Sequence, residues 1–445
     1  MEMDYLSRNR KYIFYCLGII FVLFFSVLAG LNALDGICLF FLLGFAIFLF
    51  ARPFWGFLSL IILRPMIDRW GTQSFGPEAL SLNYNSLLGI LVVLWGGVLI
   101  FQKRKEIRNL PAIIPLALLG VFLLLSALWS ISGLDGLREF LRIASIFVLY
   151  GAAFLLIREK RHLRQLVYAF LMSACVPLIF GICQFFTGKG ETIFGEYFTR
   201  LYGTFYYPNS FAFFLVFIIA LLFLMFNEAR EKLGKFFYVI LGIITSFVLL
   251  GTYTRGAWMA ALIIFFVFGV LKFRRLLLGG ALLLILIYLF VPIVQERLGD
   301  IISLEPFSSL IWRLRLWTNM LPFFYAKPIL GYGLASFQIL SQNLQGLSMA
   351  SVPEAHNDYL RLLIETGVIG LGLYLALYLR LFIFNLKNFF KIKDKFLKDL
   401  SLTAVLLVGV FLAVSLGDNI LRGTATEWCF WAYLGSVAAL TIKKH

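Results

Sequence analysis

Long apolar runs separated by short polar connectors make up most of the chain. They lie at about 12–30, 33–50, 55–67, 86–101, 111–130, 141–157, 164–186, 209–226, 236–253, 257–271, 276–293, 359–383, 400–416 and 427–441. A helix needs roughly 20 apolar residues to cross a hydrocarbon core, with a range of about 17–25. Most runs reach or nearly reach that length, the run at 55–67 is doubtful as a span and that at 257–271 is short, and the pattern predicts about 12–14 transmembrane helices. Inside hydrocarbon the backbone must satisfy its own polar groups, so the expected fold class is all-α and polytopic.

The connectors orient the bundle. Arg8, Arg10 and Lys11 precede the first run, and further basic clusters fall at 103–108, 158–164, 230–235, 272–275, 387–398 and 443–444. With fourteen spans all of them lie on one side, which is the cytoplasmic side for short basic loops. Both termini are then cytoplasmic. No small-residue cleavage site follows the first run convincingly, so it reads as a retained anchor. The opposite face carries the polar intervals 68–85, 187–208 and 294–358. The chain accordingly divides into N-terminal membrane helices over 1–293, a large external helical loop over 294–358, and C-terminal membrane helices over 359–445. Within the loop, Ile311 to Trp317 reads as an amphipathic helix at the bilayer surface.

Composition sharpens the class. Hydrophobic residues are 61% and charged residues only 14%, against about 25% charged in an average soluble domain. A net charge of +16 would suit nucleic acid, but most of the basic residues sit in connectors between membrane runs, which argues against that partner. The five cysteines lie in or beside apolar runs, with neither metal-ligand spacing nor a disulfide framework.

Three segments on the external face carry candidate chemistry. Thr252-Tyr-Thr-Arg255-Gly256-Ala-Trp258 places an arginine in an almost loopless turn between two spans. The turn needs only the glycine, so a cation near the bilayer suggests an anionic partner. In Arg313-Leu-Arg315-Leu-Trp317, Arg313 and Trp317 share a helix face, whereas Arg313 and Arg315 point about 200° apart. At most one of the two faces a given site. The third is Ser351-Val-Pro353-Glu354, which has the form of a capping box and would place His356 in the second turn of a helix entering the membrane. A helix dipole's positive end lowers a histidine's pKa and favours a neutral, proton-accepting imidazole. Arginines beside such a base suit a diphosphate, which guanidinium groups bind bidentately. External carboxylates are too sparse for metal-ligand spacing, so arginines are preferred to a divalent metal as the charge stabiliser.

These segments resemble the O-antigen ligase and Wzy-type polymerase superfamily of bacterial envelope glycosyltransferases. The resemblance runs through Gly203-Thr-Phe-Tyr206-Tyr207-Pro208-Asn209, Tyr253-Thr-Arg255-Gly-Ala-Trp258, Arg313 to Trp317, Lys327-Pro-Ile-Leu-Gly331-Tyr-Gly333, His356-Asn357-Asp358-Tyr359 and Glu365-Thr-Gly367, covering roughly 203–371. It implies a class C-like glycosyltransferase at the external face of the inner membrane. The donor would be an undecaprenyl-diphosphate-linked glycan and the acceptor a glycan or glycolipid hydroxyl, transferred with inversion and with neither metal nor cofactor. By the same resemblance His356 is the catalytic base, Arg255 and Arg313 bind the diphosphate with Arg315 the competitor, and Tyr206, Tyr207, Asn209, Asn357, Tyr359 and Asp418 line the cavity. A polymerase joining lipid-linked repeats uses the same residues. A transporter of lipid-linked saccharide would show paired halves with interrupted helices, whereas here the informative residues cluster in the second half.

Overall fold

The computed structural model describes residues 33–75, 82–192, 199–290, 309–342 and 354–442, together with 295, 299 and 344. The first apolar run and the proposed cap residues 351–353 lie outside them. The protein is an all-α polytopic membrane protein. Its helices are α1 (Ala33–Ala51), α2 (Pro53–Ile67), α3 (Tyr84–Gln102), the short α4 (Arg104–Ile107), α5 (Ile113–Leu128), α6 (Leu134–Leu156), α7 (Lys160–Ser173) and α8 (Cys175–Thr187). There follow α9 (Pro208–Glu228), α10 (Lys232–Gly251), α11 (Arg255–Lys272), α12 (Arg274–Phe290), α13 (Ser309–Ala326) and α14 (Ser336–Gln342). The chain ends in α15 (Asp358–Lys391), α16 (Lys395–Val414) and α17 (Thr424–Thr441). Among the described residues, eight helical stretches are long and apolar enough to cross a membrane, α7 and α8 counting as one. Two small antiparallel ribbons, β1 (Ser74–Phe75) with β2 (Leu82–Asn83) and β3 (Glu191–Thr192) with β4 (Thr199–Arg200), are the strands among the described residues.

Burial sorts the helices. A helix apolar all round sits inside protein or in lipid. Helices α9, α16 and α17 are enclosed by protein, whereas α10 is mostly exposed, as suits a lipid-facing helix. At the centre α17 packs on α6, with Trp428, Trp431 and Tyr433 fully buried. A Cβ at Gly435 would meet the Tyr150 carbonyl oxygen at 2.2 Å, so this crossing needs glycine.

One device bears directly on the site. The run read at 359–383 is a 34-residue helix broken at Gly367, where φ is 63° and ψ −168°. The break frees helix backbone groups, and the 327–333 loop fills them. Tyr332 N–H donates to the Ile364 carbonyl at 3.0 Å, Gly333 N–H to Glu365 at 2.8 Å, and Val368 N–H to Pro328 at 2.9 Å. A Cβ on Gly367 would approach the Ile329 carbonyl oxygen to 2.2 Å, and one on Gly331 the Glu365 backbone to 2.5 Å. The loop's far end is tied down as well, since the Ser130 and Ser132 hydroxyls both donate to the Leu334 carbonyl at 2.5 and 2.8 Å. The first segment of α15, which leads from His356, is thereby clamped between loop and bundle.

Two sequence expectations are corrected. The helix does not begin at a Ser351 capping box with His356 in its second turn. Asn357 is the N-cap, its Oδ1 accepting from Leu360 N–H at 3.0 Å, and His356 precedes the helix. A short carboxamide one residue before Asp358 competes better for the free N–H groups than a more distant serine. The α10–α11 turn also does not rest on Gly256, which lies inside α11. Its left-handed residue is Tyr253, at φ 50°.

Candidate active site

His356 adopts φ 46°, an uncommon conformation for a residue with a Cβ. Its neighbours hold it there. Trp317 Nε1 donates to the Ala355 carbonyl at 2.7 Å. On the other side Asp358 N–H donates to the Ser415 carbonyl at 2.9 Å, and the buried Asp358 carboxylate accepts from Ser415 Oγ at 3.0 Å and Leu421 N–H at 3.2 Å. Asp358 therefore staples the start of α15 to the α16–α17 turn, which carries Asp418. Trp312 meets the imidazole edge-on with centroids 5.9 Å apart.

The imidazole Nδ1 is buried without a hydrogen-bond partner and lies 4.0 Å from Asp418 Oδ1. Burial, and then the Arg313 guanidinium, hold the His356 pKa below the usual imidazole value, while Asp418 and Glu354 oppose them. Arg313 is half-buried and donates to the Gly417 carbonyl at 2.8 Å, so it faces this turn. Arg315 is exposed on another side of α13. The 200° separation read from the sequence is the reason.

From Asp418 a polar chain runs to the α10–α11 turn. Asn209 Nδ2 donates to Asp418 Oδ2 at 2.8 Å. Asn209 Oδ1 accepts from Arg200 at 2.5 Å and from Thr254 Oγ1 at 3.2 Å. Arg200 also donates to Thr254 Oγ1 at 2.9 Å and to the Thr252 carbonyl at 2.7 Å. Arg255 opens α11 directly after Thr254 and is half-buried. Contacts through Asn209, Asp418 and Gly417 thus link the segments that hold Arg200, Arg255, Arg313 and His356.

The other residues expected to line the cavity make contacts of their own. Asn357 is the helix cap, and the Tyr359 hydroxyl donates to the Leu412 carbonyl at 2.5 Å, fastening α15 to α16. Tyr206 and Tyr207 are exposed, with rings edge-on at 4.6 Å.

Sequence reasoning missed Arg200. Its only signal was a lone arginine in the 187–208 interval, and its position depends on the β3–β4 ribbon, where it pairs with Glu191. It also missed a second, ionic cluster on the other flank of His356. Arg142 holds Glu139 through two hydrogen bonds at 2.8 Å. Arg361 bonds Glu139 at 2.5 Å and Glu365 at 3.1 Å. Arg422 pairs with Glu354 at 3.2 Å, and Gln338 donates to Glu354 at 2.9 Å. Among the described residues no three His, Cys, Asp or Glu side chains converge as metal ligands.

No curated protein matches the chain significantly. Residues 237–375, from α10 into α15, match the family model described as O-antigen ligase, so this segment of the chain is similar to that family.

Proposed function

We propose that the chain is an O-antigen ligase-like glycosyltransferase acting at the external face of the inner membrane. It moves a glycan from undecaprenyl diphosphate to an acceptor hydroxyl. The carrying observation is a buried, unbonded imidazole nitrogen beside Arg313 and 4.0 Å from Asp418. An imidazole kept neutral can take the proton of an attacking hydroxyl, a contribution of roughly 10²–10⁴-fold. Asp418 favours the tautomer with hydrogen on Nδ1, which leaves the Nε2 lone pair for that proton. As the acceptor oxygen bonds to the anomeric carbon, the bond from that carbon to the diphosphate oxygen breaks, and attack from the opposite face inverts the centre. Arg255 and Arg313 meet the negative charge that grows on the departing lipid diphosphate. Arg200 adds to the same positive field while orienting Asn209, and through it Asp418. The family name supports glycan transfer in outline, and the geometry supports this division of labour.

Product analysis tests the reading. Purified protein in lipid vesicles, given an undecaprenyl-diphosphate-linked glycan and a glycolipid acceptor, should release undecaprenyl diphosphate and form one glycosidic bond of inverted configuration. A ladder of lengthening lipid-linked products would make the enzyme a polymerase. Retained configuration would refute direct displacement.

A further inference from the structure

The ionic cluster reaches the exposed tyrosine pair through Glu354 and Arg422, both within electrostatic range of Tyr207. Tyr207 precedes Pro208, which forces it into an extended conformation at φ −125° and ψ 143°. Tyr206 is fixed through its backbone, which donates to Asp68 Oδ2 at 3.3 Å, and Asp68 is held by Arg64 at 2.6 Å. The main chain is therefore anchored while both rings remain about half exposed, 46% and 51%. Glu354 and Arg422 are each roughly three-tenths exposed beside them, and Gln338 reaches Glu354. Tyr207 lies within electrostatic range of Glu354, Arg422 and Glu191. Burial first, then Tyr206 and Glu354, push its hydroxyl pKa up, so it remains a hydrogen-bond donor.

Exposed aromatic faces flanked by carboxylate, carboxamide and guanidinium groups match a sugar ring, whose C–H face is apolar and whose rim is hydroxyl. Charge selects the kind of sugar. Arg142, Arg361 and Arg422 are matched by Glu139, Glu365 and Glu354, so this flank has no excess charge to offer an anion. On the other flank Arg313 donates to the Gly417 carbonyl beside Asp418, and in the proposed function it is a cation offered to the diphosphate. His356 lies between them, acted on by both Glu354 and Asp418.

We propose that Tyr206 and Tyr207, with Glu354, Gln338 and Arg422 at their edge, form the acceptor subsite, which takes an uncharged sugar ring and presents its hydroxyl to His356. This rests on the transferase reading for the role of acceptor, but sugar binding itself can be tested alone. Saturation-transfer NMR on the full chain in detergent, with methyl glucoside, methyl galactoside and N-acetylglucosamine as probes, should show transfer to ring protons of at least one. The signal should fall at least fivefold in the Tyr206→Ala/Tyr207→Ala double variant. It should persist in Tyr206→Phe/Tyr207→Phe, which keeps the rings, and in His356→Ala, which keeps the subsite. No signal from any probe, or an equal signal without the rings, would overturn the subsite. In the transfer assay Tyr207→Ala should raise the acceptor KM about tenfold and leave the donor KM unchanged. A rise in donor KM instead would assign the rings to the donor glycan and overturn the proposal. Loss of the His356 mechanism with retained sugar binding would leave the subsite standing, so the two failures are separable.

Discussion

Two arginine-rich regions flank His356, and they differ in what their arginines face. Arg142, Arg361 and Arg422 each meet a glutamate, and Arg361 is 4% exposed. Such a network satisfies itself and holds helices in register. Arg200 and Arg313 hydrogen-bond carbonyl, hydroxyl and carboxamide oxygens on the elements around Asp418, and Arg255 follows Thr254 of the same polar chain. A half-buried arginine bound to a neutral oxygen, as Arg313 is to the Gly417 carbonyl, keeps its charge for an anion. The same residue type therefore serves architecture on one flank and, in the proposed function, substrate charge on the other. Counting arginines could not separate these roles, whereas their partners do.

Substitutions should split the two regions. On the balanced flank, Arg361→Ala leaves Glu139 and Glu365 underpaired in a buried setting, and breaking such a pair costs about 3–5 kcal/mol. Thermal unfolding should show a marked fall in Tm, with donor affinity of the remaining folded protein preserved. On the cationic flank the pattern reverses. Arg255→Ala or Arg313→Ala removes charge-assisted bonds worth about 1.5–3 kcal/mol, which is roughly ten- to a hundredfold in donor affinity. Titration with undecaprenyl-diphosphate-linked glycan should show that loss while Tm barely moves. Equal Tm losses on both flanks would erase the distinction.

Acidity gives a smaller effect with a definite sign. In the proposed function transfer needs neutral His356, whose pKa is held below the usual value of about 6.5. The acid limb of kcat/KM should therefore lie below that pH. Arg313 lowers the pKa, so Arg313→Gln should move the limb to higher pH; Asp418 raises it, so Asp418→Asn should move the limb lower. A limb that ignores both changes would detach His356 from the profile. The smallest effect is expected at Arg315→Ala, whose exposed side chain should leave donor affinity within about twofold.

What could be read in advance followed the range of each signal. The membrane helices were legible because hydropathy is local and length alone sets a span. Helical spacing put Arg313 and Arg315 on different faces but did not say which of them turns toward His356. The break at Gly367 was hidden, since apolar periodicity runs straight through it and its cause is a loop some 35 residues earlier in the chain. Arg200 was hidden for the same reason: its partners Asn209, Thr252 and Thr254 reach it only through a ribbon and a helix turn. The His356 segment was found by residue type, but its setting was misread. The capping signal at Ser351 outweighed Asn357, and the role of Asp358 depends on Ser415 and Leu421, far along the chain.

The central claim is that His356 accepts the acceptor's proton between these flanks. Its most direct test is the transfer rate of His356→Ala in lipid vesicles at saturating donor and acceptor, with donor affinity and Tm measured on the same preparation. The account predicts a loss of at least a hundredfold with donor affinity and Tm near those of the unaltered protein. A rate within a few-fold of the unaltered protein would contradict it.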